Sequence, residues 1–200
     1  MKQLHIFSTP IASTVWQGVE TLNDRLAATI RSQAGASDSL QRSNVGGWHS
    51  DLSFLELEAP EVHAFRQRAR EALDEVFAQA ASGASSIPPY RLEGWGNLAT
   101  SGAYHSIHSH PNAAWSGVYY VTGNPDPNYD EHPFSGKLEL LDPRPGASLR
   151  YEAGTNMYGR FLINPQPGQI VIFPGWLQHQ VHPYFGSQER ITIAFNAVLS

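Results

Sequence analysis

The grammar of the chain changes at Tyr90. Beyond that point β-branched and aromatic residues come in short runs, separated by Gly, Pro and Asn, and the clearest of them predict strands at 90–97, 115–122, 136–141, 169–173 and 190–198, with shorter strands between. Before it, apolar residues recur at helical spacing. A short strand at 4–8 comes first, then Val15, Val19, Leu22, Leu26 and Ile30 mark one amphipathic helix. Val62, Phe65, Ala69, Ala72, Leu73, Val76 and Phe77 mark a second, with Pro60 suited to its first turn. The stretch 32–47 reads as a loop. Helices first and antiparallel strands later predict an α+β, mainly β fold: a double-stranded β-helix (jelly roll, cupin-like) with the N-terminal helices packed on one sheet.

With 200 residues, the chain is expected to form one domain, 1–200, made of an N-terminal strand and helices (1–88) and a β-helix core (89–200). The 17 Gly and 14 Pro fit a loop-rich β protein. A net charge of −5 supplies no broad basic field, so nucleic acid is not an expected partner. No window approaches the ~20 apolar residues of a membrane span, and the polar N-terminus lacks a signal-peptide core. A soluble, cytoplasmic protein is the expectation, with a homodimer as a common arrangement for such enzymes. Cysteine is absent, so any metal must be held by histidine and carboxylate.

Histidine is unevenly placed. His105, His108 and His110 precede the strand WSGVYYV, while His179 and His182 follow IVIFPGWL. Residues two apart on a strand face the same way, so His108 and His110 can converge, and strict alternation would send His105 to the other face. His179, from a distant strand, is the candidate third ligand of a non-heme iron site with open positions. Arg190, eleven residues later, could form a fork with a carboxylate deep in the barrel. The polar loop 122–135 either lines a barrel mouth or simply connects strands.

From His108 to Asn196 the chain resembles the 2-oxoglutarate oxygenases related to prolyl hydroxylases. Their order is His-x-Asp, an aromatic strand, a Gly-rich strand, a distal His and an Arg. Here it runs His108-Ser-His110, Val118-Tyr119-Tyr120-Val121, Ser135-Gly136-Lys-Leu-Glu-Leu, His179-Gln-Val181-His-Pro183 and Arg190. Almost the whole chain is similar to a bacterial and phage family of 2-oxoglutarate and iron(II) oxygenases. Its marks include Gly46-Gly47-Trp48-His49-Ser50, Asp142-Pro143-Arg144 and the segment from Phe173 to Asn196.

The resemblance implies Fe(II), 2-oxoglutarate as cosubstrate and O2, with hydroxylation of a small molecule or an amino-acid or peptide substrate and release of succinate and CO2. It implies His108, His110 and His179 as metal ligands and Arg190 as the partner of the distal carboxylate. Thr192, two residues on, shares the face of Arg190 and can donate a hydrogen bond, and Tyr119 and Asn97 are further expected cosubstrate contacts. One departure stands out: His110 occupies the place of the usual Asp. Asp142 is therefore an alternative source of a carboxylate ligand. Rival readings are a three-His metal dioxygenase that does not use 2-oxoglutarate, a cupin-type isomerase and a non-catalytic metal- or ligand-binding barrel. Trp48, His49, Ser50, Trp115 and Trp176 either shape a substrate site or anchor packing.

Overall fold

The computed structural model describes residues 7–81, 86–146 and 159–200. Most of the expected strand at 4–8 lies outside them, and the first described strand is β1 (Ala12–Val15). Val15 thus belongs to a strand, not to the first helix. Gly18, at φ +66, turns the chain, and α1 starts only at Glu20, running to Ala36. The helix also consumes the start of the expected loop. Ser37 ends it by directing its backbone N–H and its hydroxyl to the carbonyl of Gln33. Helix α2 spans Pro60–Ala80, with Pro60 in its first turn as expected.

Between the helices lie β2 (Asn44–Val45), β3 (Trp48–His49) and a 3-10 turn at Phe54–Glu56. The barrel strands follow: β4 (Tyr90–Ala99), β5 (Tyr104–His108), β6 (Trp115–Tyr120), β7 (Leu138–Leu141), β8 (Arg160–Ile163), β9 (Gln169–Pro174), β10 (His179–Val181) and β11 (Arg190–Leu199). They form two antiparallel sheets. The major one has the order β1-β9-β6-β11-β4-β3, the minor one β2-β5-β10-β7-β8.

Strand alternation gives the major sheet two unlike faces. Trp115, Tyr119, Ile170, Ile172, Ile191, Ile193 and Phe195 point to the helices and join Leu26, Ile30, Phe65 and Leu73 in one buried cluster. Burying a single large apolar side chain of this kind contributes roughly 1.5–3 kcal/mol. Gly117 is needed there, because a Cβ on it would collide with the ring of Phe195. The opposite face looks across to the minor sheet, and a smaller cluster of Tyr120, Leu138, Leu140, Ile163, Val171 and Phe173 fills part of the space between. No described helix is long and apolar enough to cross a membrane.

Candidate metal centre

His108 closes β5 and His179 opens β10, and the two are cross-strand partners. His110 lies just beyond β5, where its N–H donates to the carbonyl of Gly175. One ligand atom from each of the three lies within 4.8 Å of the other two. Backbone carbonyls fix the rings: His108 Nδ1 is 2.7 Å from the oxygen of Ser106, and His179 Nδ1 is 2.9 Å from that of Leu177. A carbonyl can only accept, so each Nδ1 carries the proton and each Nε2 keeps its lone pair for a metal.

Burial also keeps the imidazoles neutral. It pushes His179 down to about 3 and His110 to about 4, with the neighbouring histidines adding to the effect, and it lowers His108 as well. Three neutral nitrogen donors on one side of a point suit a divalent transition metal such as iron(II). Asp142 sits elsewhere: Arg144 holds both its carboxylate oxygens, at 3.0 and 3.2 Å from Nε, and the residue is not part of the three-ligand cluster. The carboxylate alternative thus has no geometric support.

His105 departs from simple alternation. It pairs with Val181 while His108 pairs with His179, so three steps on β5 match two on β10. The β-bulge turns His105 to the same side as His108. Ser43 Oγ lies 3.3 Å from both His105 Nδ1 and His108 Nε2. Burial, with Arg190 next in importance, pushes His105 down to about 3. Residue counting alone could not reveal the bulge.

On the major sheet, register places Arg190, Thr192, Asn97 and Tyr120 together, since Thr192 pairs with both Asn97 and Tyr120. Arg190 is buried, and among the described residues no carboxylate lies within ion-pair distance of it. Its Nε donates to Asn124 Oδ1 at 2.8 Å, and its guanidinium lies 5.4 Å from the ring centre of Tyr120. Glu189, the obvious neighbour in sequence, turns outward to Arg31 on α1 instead. Burial lowers the pKa of Arg190, opposed by the surrounding tyrosines, and a guanidinium stays charged at neutral pH.

Tyr119 does not share this face. Its hydroxyl donates to Asn23 Oδ1 on α1 at 2.6 Å and its ring packs on Phe65, so it is a core residue of the helix side. The two tyrosines alternate, and it is Tyr120 that looks inward. Burial pushes the phenol of Tyr120 up to about 12, opposed by the Arg190 guanidinium beside it, so it stays protonated, and its hydroxyl donates to no described residue. Asn97 Oδ1 is also unpartnered, while its Nδ2 lies 3.4 Å from Thr192 Oγ1. A phenol whose proton has no acceptor and a guanidinium without a carboxylate, together on one wall, are donors that the carboxylate of a bound anion would accept from.

The remaining expected residues divide between wall and core. His49 is buried and stacks on Trp95, which in turn lies 5.6 Å from His110. Trp115 belongs to the helix-side core, whereas Trp176 is exposed. His182 faces outward to Glu139, at 2.5 Å. The loop 122–135 packs at Arg190, since it carries Asn124 and receives a hydrogen bond from Tyr184 to the carbonyl of Pro125.

This is the architecture and donor set of a double-stranded β-helix oxygenase. A protein-family model described as "Putative 2OG-Fe(II) oxygenase" matches residues 93–196, and the chain belongs to that family. Solved structures agree on the fold. A prolyl-4-hydroxylase from Pseudomonas putida superposes with a TM-score of 0.63 at 16% identity, covering 96% of this chain and 94% of its own. The viral collagen prolyl hydroxylase of Paramecium Bursaria Chlorella virus-1, in its 2OG complex, gives 0.59 at 13% identity, covering 95% and 96%. HygX from Streptomyces hygroscopicus, with nickel and 2-oxoglutarate bound, gives 0.60 at 12% identity, covering 96% and 84%. A search of curated proteins found no match. The chain is a 2-oxoglutarate-dependent oxygenase that uses iron(II).

Proposed function

We propose that His108, His110 and His179 hold the iron and that Arg190, Tyr120, Thr192 and Asn97 hold 2-oxoglutarate, in a single-domain enzyme that hydroxylates a small molecule or an amino-acid or peptide substrate. The observation that carries this reading is Arg190: a buried guanidinium without a carboxylate partner among the described residues, on the sheet opposite the one that carries His108 and His179. Burying an uncompensated charge is costly, so the site is built for an anion.

When bound, iron(II) and 2-oxoglutarate would activate O2, one oxygen atom passing to the succinate formed with release of carbon dioxide and the other to the hydroxylated substrate. The chain's own residues orient and exclude. Arg190 and Tyr120 grip the distal carboxylate, with Asn124 fixing the guanidinium from behind. The carbonyls of Ser106 and Leu177 aim two imidazoles before a metal arrives, so little reorganisation is needed. Val171, Phe173 and Leu140 keep water from one flank. Three neutral ligands leave the charge of the ion to be balanced by the cosubstrate, which couples the two binding events.

The test is anaerobic titration of the apo protein with iron(II) and then 2-oxoglutarate, reading the visible metal-to-ligand charge-transfer band of a chelated keto acid. A band that requires both additions is the expected result. Iron binding without any band on adding the keto acid would sink the cosubstrate assignment and favour a three-His site that works without it.

A further inference from the structure

The inner face of the major sheet can be read as successive rows. Thr192, Asn97 and Tyr120 form the first, beside Arg190; Ala194, Trp95 and Val118 form the next; Asn196, Glu93 and Ser116 form the third. Rows two residues apart are separated by ~7 Å. The metal ligands lie against the second and third rows: Trp95 approaches His110, and Phe173, the cross-strand partner of Ser116, lies 4.7 Å from the ring centre of His179. The third row therefore lies one step beyond Trp95, on the side away from Arg190, with its Ser116 end paired to the Phe173 that packs on His179.

Its residues are polar where core packing alone would favour apolar ones. Ser116 is buried and donates to Asn196 Oδ1 at 2.7 Å, which orients the amide. Asn196 is only 8% exposed, yet its Nδ2 makes no hydrogen bond to any described residue. Glu93 stands next to it and is the one carboxylate among the described residues on the inner face of either sheet. Its Oε1 pairs with Arg91, which is largely exposed and lies on the same face one row further out. Its Oε2 has no described partner. One row beyond Trp95, then, stand a half-free carboxylate, an oriented amide donor and an exposed guanidinium.

Resting on the oxygenase reading above, we infer that this row recognises the substrate, and that the substrate carries a protonated amine next to a carboxylate or carbonyl, as a free α-amino acid does. Glu93 takes the ammonium. Asn196 Nδ2 and Arg91 take the oxygen atoms, and the side chain of the substrate extends toward the iron. Charges of both signs side by side favour a zwitterion over a singly charged ligand, since each sign would otherwise meet an unmatched partner.

The experiment uses the anaerobic iron(II)·2-oxoglutarate enzyme and reads two signals: the shift of the charge-transfer band and succinate formation once oxygen is admitted. The probes are the twenty common L-amino acids and their N-acetyl derivatives. At least one free amino acid should shift the band and raise succinate formation, and its N-acetyl form should not. Glu93→Gln, nearly isosteric, should raise the half-saturating amino-acid concentration at least tenfold while the band still forms on iron and 2-oxoglutarate. Glu93→Asp should recover part of the loss, and Asn196→Ala should raise the same concentration several-fold. A band that no free amino acid perturbs, an equal response to acetylated probes, or an unchanged response in Glu93→Gln would each overturn the inference while leaving the oxygenase reading intact. Failure of the band to form at all would instead overturn that reading.

Discussion

Strand β11 is two strands in one. On one face, Ile191, Ile193, Phe195 and Ala197 are fully buried against the helices; on the other, Arg190, Thr192 and Asn196 look into the barrel. The first set stabilises by removing apolar area from water. The second does the opposite, placing a charge and polar groups where water is scarce and completing their hydrogen bonds only in part. The same backbone thus holds a stabilising surface and a functional one, and substitutions on the two faces should have opposite signatures.

Acid should distinguish the faces most strongly. His105, His110 and His179 are pushed down to about 3–4, and His49 and His108 are also lowered, all mainly by burial. Their ordinary value is 6.5. Above it both folded and unfolded forms are neutral; below it the unfolded chain takes up protons that the folded chain refuses, so stability falls with falling pH. The melting temperature of the apo protein should therefore drop by several degrees between about pH 6.5 and pH 4. A flat profile across that window would show that these rings are not buried neutral.

On the helix side, Phe195→Ala should cost about 3–5 kcal/mol in denaturant unfolding. Any protein that still folds should keep the charge-transfer band. His179→Ala should abolish stoichiometric iron binding, a loss of roughly 3 kcal/mol or more if the ligands share a total like the ~10–16 kcal/mol of structural metal sites. Isothermal titration would check it, and retained full affinity would remove His179 from the ligand set. Arg190→Ala should weaken 2-oxoglutarate by about 1.5–3 kcal/mol, or roughly ten- to a hundredfold, with iron affinity changed far less.

The smallest effect gives the sharpest contrast, because it compares adjacent residues. Tyr120→Phe removes a hydroxyl from the inner wall and should weaken 2-oxoglutarate by ~1 kcal/mol without lowering the melting temperature. Tyr119→Phe breaks the bond to Asn23 and should cost ~1 kcal/mol of stability with cosubstrate affinity unchanged. If the two variants behaved alike, the assignment of faces would be wrong.

Much of this was legible in the sequence. The strand grammar after Tyr90 anticipates the main sheet strands to within one or two residues at most ends, and the helix after Pro60 starts where expected. His108, His110 and His179 do converge, although His110 lies just past the end of β5 and is positioned by its N–H bond to the carbonyl of Gly175 instead of by strand alternation. Alternation alone could not choose between Tyr119 and Tyr120, since either may face inward until the register with Thr192 is known. The inward turn of His105 depends on a bulge, which an added backbone residue creates without any compositional mark. Glu93 and Asn196 lie inside ordinary strand patterns, and only pairing across β4, β11 and β6 brings them into one row.

The loop 122–135 has a kinetic meaning. It holds Arg190 through Asn124 and is itself held by Tyr184, so the loop is tied to the residue proposed to bind the cosubstrate. In the proposed assignment the cosubstrate lies on the Arg190 side and the substrate on the Glu93 side of the three histidines. If the cosubstrate lies behind the substrate in this way, binding order would depend on the connection between β6 and β7, away from His108, His110 and His179.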